Sequence, residues 1–151
     1  MRFRIRKLRM ADRAAVGRIA RSLPEWFTAE GQTMIAQDVQ TQQGFVAVEG
    51  DRVVGFLTYF THEGIGHIGW LGVAPAKHRQ GIGRLLSERF ESALRRLNIA
   101  VAEVATLGDS VDYEPYNHTR AFYRAIGYST FRVEKRGTPQ CPEMLYLRKK
   151  I

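Results

Sequence analysis

Trp70–Leu86, reading WLGVAPAKHRQGIGRLL, decides how the chain folds. The apolar start, Trp70-Leu71-Gly72-Val73, reads as the end of a strand, and Pro75 stops it. A basic turn follows, then apolar residues recur at helical spacing: Ile82, Leu85, Leu86, Phe90, Ala93, Leu94 and Leu97. That stripe predicts a helix from Gly81 to about Leu97, with Arg84, Ser87, Glu88, Glu91, Arg95 and Arg96 facing outward. Gly81 and Gly83 carry no Cβ, so a ligand can lie against the backbone where the helix begins. The first N–H groups of a helix have no partner within it and sit at the positive end of its dipole. Flanked by Lys77, His78, Arg79 and Arg84, this turn is a candidate anion site of phosphate-binding type.

Working outward, the helix is followed by a strand over Ile99–Thr106, so 67–106 forms a strand–helix–strand unit. Such a unit implies a parallel pair with a right-handed crossover. Upstream, Phe45–Glu49 and Val53–Phe60 are β-rich runs separated by a hairpin signal at Glu49-Gly50-Asp51-Arg52; a loop over Thr61–Gly66 leads to the strand His67–Val73. The N-terminal part alternates Arg2, Phe3, Arg4, Ile5 and Arg6 as a half-buried strand over 2–8. A helix then opens at Asp12 and is ended by Pro24, and a second covers about 28–40. Trp26 and Phe27 join these helices and are expected in the core rather than in a substrate pocket. Downstream come the loop 107–115, a helix over Tyr116–Ile126 stopped at Gly127, and strands at about 128–135 and 141–148. The order β-α-α-β-β-β-α-β-α-β-β predicts an α/β (α+β) fold. It is expected as a single domain, 1–151, with a mixed, mostly antiparallel sheet, a central parallel β-α-β unit and flanking helices.

The composition, 44% hydrophobic and 25% charged over 151 residues, suits a globular domain with one core. No apolar run reaches the roughly 18 residues of a membrane span, so no membrane partner is expected. The basic N-terminus lacks the apolar segment of a secretory signal, and the single Cys141 fits a reducing cytoplasm. The net charge of +8 suits an acidic ligand, but the basic residues are scattered, and nucleic acid is not the expected partner. The four histidines show no metal spacing, so no metal is expected. Oligomeric state is not legible, and a homodimer stays open.

Three kinds of glycine-rich loop can be compared. A P-loop would need Lys and Ser or Thr after its last glycine, where Arg84 and Leu85 stand. A dinucleotide fingerprint would need a third glycine where Leu86 stands. Strand, V-x-P turn, basic loop and G-x-G at a helix start together resemble the GNAT N-acetyltransferase superfamily, whose acetyl-CoA loop is written [RQ]-x-x-G-x-[GA]. The resemblance runs from about Phe45 to the C-terminus, and makes His78-Arg79-Gln80-Gly81-Ile82-Gly83, continuing into Arg84 and Leu85, the pyrophosphate loop. His78 departs from the usual Arg or Gln. The resemblance also implies that the backbone of Leu71, Gly72 and Val73 pairs with the pantetheine arm as an added strand would, which requires the strands near 70 and 104 to splay. Further on, Tyr116–Tyr128 is similar to the family's N-x-x-A-x-x-F-Y-x-x-x-G-F helix, with Phe122-Tyr123 and Gly127-Tyr128 in register. The family's Asn falls on Tyr116, so Asn117 does not inherit its role. Thr106-Leu107-Gly108 together with Thr119–Tyr123 looks like a poorly characterised bacterial branch of the superfamily.

The resemblance implies an acetyl-CoA-dependent N-acetyltransferase that moves acetyl directly to an amine of a small molecule or peptide. Tyr123 takes the family's general-acid position; a phenol with pKa near 10 can donate to a departing thiolate near 8.5. Relatives often carry a carboxylate base on the strand before the loop, where this chain has His67-Ile68-Gly69. Imidazole is the side chain suited to accept a proton near neutrality, so His67 is the candidate base, with Glu63 behind it. Cys141 has no paired base in local sequence, which argues against an acyl-enzyme. The rival readings are a non-catalytic acyl-CoA-binding regulator and a nucleic-acid-binding module.

Overall fold

Seven strands form one sheet in the order β1-β2-β3-β4-β5-β7-β6 in the computed structural model, which describes residues 2–151. The strands are β1 (Arg4–Lys7), β2 (Gln43–Glu49), β3 (Arg52–His62), β4 (Ile65–Val73), β5 (Val101–Leu107), β6 (Ser129–Lys135) and β7 (Glu143–Lys150). Helices α1 (Arg13–Arg21) and α2 (Ala29–Asp38) separate β1 from β2; α3 (Ile82–Arg96) joins β4 to β5, and α4 (Glu114–Ala125) precedes β6. Every neighbouring pair is antiparallel except β4 and β5. The expected mixed sheet with its central parallel unit is therefore present. No helix among the described residues is long and apolar enough to cross a membrane.

Some boundaries differ from the sequence reading for local reasons. Thr61–Gly66 is not a loop: β3 and β4 continue to a two-residue turn, Glu63-Gly64, with both residues at positive φ (49° and 77°). That is the backbone a tight hairpin demands. Asp12 stands at the position before α1, as expected, but it also ends a 3-10 turn, Met10–Asp12, and its carboxylate is turned inward instead of capping α1. Helix α4 begins two residues early because Pro115 fits a first helical turn.

The sheet is covered on both faces, and side-chain alternation along β2 shows how. Phe45 and Ala47 pack into the cluster under α3, whereas Val46 and Val48 pack into the one under α1 and α2. On α3 the predicted stripe is buried at Ile82, Leu86, Phe90 and Leu94, but Leu97 lies past the helix end and is exposed. Ser87 and Glu91, expected outward, are buried; the Glu91 carboxylate is held by Lys149 at 3.0 Å and Arg95 at 3.6 Å.

The pairing of β4 with β5 stops after two rungs, Gly66↔Ala102 and His67↔Glu103. Beyond them β4 stays on β3 as far as Val73, while β5 stays on β7 as far as Leu107. The divergence begins at a bulge, where Ile68 faces Tyr59, Trp70 faces Thr58, and Gly69 is left over. A Cβ on Gly69 would collide with the side chains of Gln42 and Thr58, so only glycine fits the bend. The Trp70 N–H, freed from the ladder, donates to the Thr58 hydroxyl at 3.0 Å.

Asp12 fastens the N-terminal helices to β1. It accepts both guanidinium nitrogens of Arg6, at 2.8 and 2.9 Å, and the Arg9 N–H at 2.8 Å. The Arg6 hydrogen bonds hold its carboxyl below the usual carboxylate pKa. A carboxylate depressed on folding contributes stability above its unfolded pKa of about 3.9 and loses it as pH falls through the folded value. Asp12→Ala is therefore expected to cost about 2–4 kcal/mol at pH 7. In urea unfolding the gap from wild type should close as pH drops below about 4.

Candidate active site

The loop between β4 and α3 has a backbone suited to an anion. Arg79 and Gly81 both sit at positive φ, 63° and 82°. A Cβ on Gly81 would meet nothing, so its glycine is required by conformation rather than by space. The N–H groups of residues 79–84 donate to no other atom among the described residues; the first helical bond runs from Leu85 N to Gly81 O. Several amides thus point free at the start of α3, the arrangement a pyrophosphate requires. Gly83 answers a second constraint: a Cβ there would press on the Phe122 ring at 3.1 Å, so glycine lets α3 and α4 close together.

The free edge of β4 and this loop line one continuous cleft of about 590 Å³. Leu71, Gly72 and Val73 form one wall, Gly81, Ile82, Gly83 and Arg84 its end, and His118, Phe122 and Ile126 the opposite side. Because β4 is unpaired there, its backbone can take an extended ligand as a further strand. His78 and Arg79 also line the cleft. The His78 ring, however, is engaged: its Nε2 lies 2.7 Å from Val73 O and must donate, because a carbonyl only accepts. The edge of Trp26 packs on the same ring, with centroids 5.8 Å apart. Thus the departure from Arg or Gln fastens the loop to β4.

A second cavity of about 650 Å³ opens through the splay, between Ile68–Leu71 of β4 and Val104–Leu107 of β5. Trp26, Phe27 and Leu71 line both spaces, so the two meet there. Its roof is the α1–α2 connection, held to α4 by three groups. Tyr116 donates its hydroxyl to Trp26 O at 2.7 Å, and Tyr113 donates to Glu25 O at 2.8 Å. Trp26 Nε1 donates to Thr119 Oγ1 and Pro115 O at 3.0 and 3.1 Å. The Tyr123 hydroxyl has no partner among the described residues, and neither has the Thr106 hydroxyl, which is enclosed in the wall. Burial pushes the Tyr123 phenol well above its usual pKa, so it stays protonated. Arg120, itself buried, shapes the cavity floor by donating to Leu107 O at 2.7 Å and Val111 O at 3.0 Å and by holding Asn117.

The fold brings together Tyr123, the β4 residues Leu71–Val73 and most of the loop, but not every residue picked from sequence. His67 lines neither space. It sits on the last paired rung, with Nδ1 3.1 Å from Glu103 Oε2 and its ring stacked on Phe60 at 4.9 Å. Glu103 also accepts Arg148 Nε at 2.9 Å, so this group clamps β4, β5 and β7 where the splay begins. Glu63 is on the exposed hairpin turn beside His62, away from both cavities. Leu85 spends its N–H inside α3, and Gln80 turns its amide to Ala76 O and to Arg2. Trp26 and Phe27 are wall residues as well as core, and Cys141 lies on the second cavity. Thr106, Tyr113 and Met144, scattered over 38 positions of sequence, could be recognised as neighbours only in the folded chain.

A family model described as "Acetyltransferase (GNAT) domain" matches residues 40–130. No curated protein matches the chain in sequence. Among solved structures, a GNAT-family protein from Desulfovibrio desulfuricans superposes with a TM-score of 0.86 at 23% identity, covering 98% of each chain. The ribosomal-protein-S18-alanine N-acetyltransferase of Escherichia coli gives 0.77 at 16%, covering 99% of this chain and 94% of its own. PaiA N-acetyltransferase from Thermoplasma acidophilum, solved in complex with coenzyme A, gives 0.76 at 14% and full coverage of both. At these identities the structures establish a shared fold, while the domain match spans more than half of the chain from β2 to β6: the protein belongs to the GNAT acetyltransferase family.

Proposed function

We propose that the protein is an N-acetyltransferase that binds acetyl-CoA in the cleft beside β4 and passes the acetyl group directly to an amine in the second cavity. One observation carries this reading: the unpartnered, protonated Tyr123 hydroxyl lies in a cavity that joins the anion-loop cleft through the splay. The free amides of residues 79–84 would hold the pyrophosphate, with Arg79 and Arg84 adding charge, and Leu71–Val73 would pair with the pantetheine amides.

Acetyl-CoA supplies an activated carbonyl, and the reaction forms a C–N bond as the C–S bond breaks. Tyr123 is the group placed to meet the charge that develops on sulfur. Burial has raised its pKa further above the thiol's, so complete transfer would be uphill, by more than about 2 kcal/mol from the unperturbed values alone. Its role is to donate a hydrogen bond as the thiolate forms while keeping its own proton; the proton that completes the thiol is the one the nitrogen sheds on becoming an amide, passed through solvent. Tyr113 and Tyr116 are poor rivals because their hydroxyls already donate to the roof backbone. Cys141 lacks an adjacent base, which favours direct transfer.

A non-catalytic acyl-CoA-binding role is favoured by one feature, the absence of any carboxylate on residues 68–73 of β4. Thiol release from acetyl-CoA across a panel of amines separates the two readings: release supports transfer, and tight acetyl-CoA binding with no release supports the regulator.

Tyr123→Phe is expected to lower kcat about 100-fold while leaving acetyl-CoA affinity unchanged, as read by steady-state kinetics and calorimetry. Unchanged kcat would remove Tyr123 from the chemistry. Because burial raises its pKa, the wild-type rate should show no fall between pH 7 and 10 attributable to loss of this proton. Gly81→Val would place a β-branched residue at φ 82° and should weaken acetyl-CoA binding at least tenfold by moving the free amides.

A further inference from the structure

The walls of the second cavity carry information about its ligand, and the identification of that ligand as the acetyl acceptor rests on the transferase reading. Trp26, Phe27, Trp70, Tyr113, Tyr116 and Met144 surround it. The side chain of Trp70 is fixed from behind by Asp38, which accepts its Nε1–H at 2.8 Å, and Phe27 packs edge-on against the same ring at 5.8 Å. The roof bonds spend the polar ends of Trp26, Tyr113 and Tyr116 on backbone carbonyls and the Thr119 hydroxyl, leaving their ring surfaces for a ligand. No Lys, Arg or His lines the cavity, and β4 and β5 contribute no ionisable side chain to it. The titratable groups that do face it are Glu25, exposed on the roof, the phenols of Tyr113, Tyr116 and Tyr123, and the thiol of Cys141. The Tyr123 hydroxyl on these walls has no partner among the described residues and is not enclosed; that of Thr106 is enclosed.

We propose that the acceptor is an amine carried on a flat, apolar body with no second charge, its body lying among these aromatic rings and its nitrogen directed toward Tyr123, beside which the thioester would lie. The same walls account for transfer without a carboxylate base. Moving an ammonium group out of water into a space with no buried anion favours its neutral form. The ammonium proton leaves to solvent as the amine enters, the neutral nitrogen attacks the thioester carbonyl, and the second proton, shed as the amide forms, passes by way of solvent to the departing thiolate. A polyamine would have to bring further charges into the same space or leave them stretched outside it, and so is selected against.

Both tryptophans of the chain, Trp26 and Trp70, line this cavity, so intrinsic fluorescence reports on its occupant. The test has two arms: fluorescence titration of the coenzyme A-bound protein, and thiol release from acetyl-CoA. The probes are 2-phenylethylamine, a ring-substituted benzylamine of lower pKa, and spermidine. The expected results are saturable quenching by the two aromatic amines and kcat/KM at least tenfold above that for spermidine. The acidic limb of the kcat/KM–pH profile should move with the pKa of the acceptor used. Met144→Glu should lower kcat/KM for 2-phenylethylamine at least tenfold relative to spermidine. A preference for spermidine, absence of quenching by either aromatic amine, or a limb fixed at one pH for every acceptor would overturn the proposal. Saturable quenching by the aromatic amines without thiol release would support the cavity assignment and defeat the transferase reading instead.

Discussion

A strand that leaves its neighbour while still inside the fold must find other partners for its N–H and C=O groups. Everything at this site depends on that constraint. The sheet is continuous through β4 and β5 for two rungs, and beyond His67 and Glu103 the two strands part. The free edge of β4 is retained because β3 holds it on the other side, and because Gly69 bends it at a point where no side chain fits. The opening connects both faces of the sheet, so a ligand along β4 can meet one entering from beneath the α1–α2 roof. The clamp of His67, Glu103 and Arg148 across three strands sits where such an opening would otherwise propagate.

Helix α4 carries much of the remaining organisation, and successive residues do different work. Tyr116 and Thr119 bond to Trp26, Arg120 gathers the loop after β5, Phe122 meets Gly83 of α3, and Tyr123 enters the cavity. Arg124 adds a bidentate pair with Asp109 at 2.9 and 2.7 Å, which holds that carboxyl below its usual pKa. One short helix therefore ties the roof, the loop after β5 and the start of α3 to one frame. Buried hydrogen bonds of this kind are costly to leave half-made, so the frame constrains the cavity shape.

The family match begins at residue 40, so β1, α1, α2 and the roof connection lie outside it. The matched part holds the anion loop and Tyr123; the unmatched part supplies Trp26 and Phe27. The second cavity therefore draws its walls from both parts, with Trp70, Tyr113 and Tyr116 inside the matched segment.

What could be read from the sequence alone was whatever depends on near neighbours. The order of elements, the parallel unit, the α3 stripe and the loop around Gly81 and Gly83 follow from periodicity and backbone freedom, which act over a few residues. Tyr123 is picked out differently, by the resemblance of its helix to a family motif. Tertiary structure decided the rest. His67 suits a base by residue type, but it stands on the paired side of the divergence, before the single-residue bulge at Gly69 and against Glu103. His78 became a fastening for Val73 O, and Glu91 moved inside because Lys149, 58 residues away, reaches it. Thr106, Tyr113 and Met144 meet Trp26 and Trp70 only after four separate chain segments close on one cavity. Contacts across such separations are set by the packing of whole elements, and no local pattern encodes them.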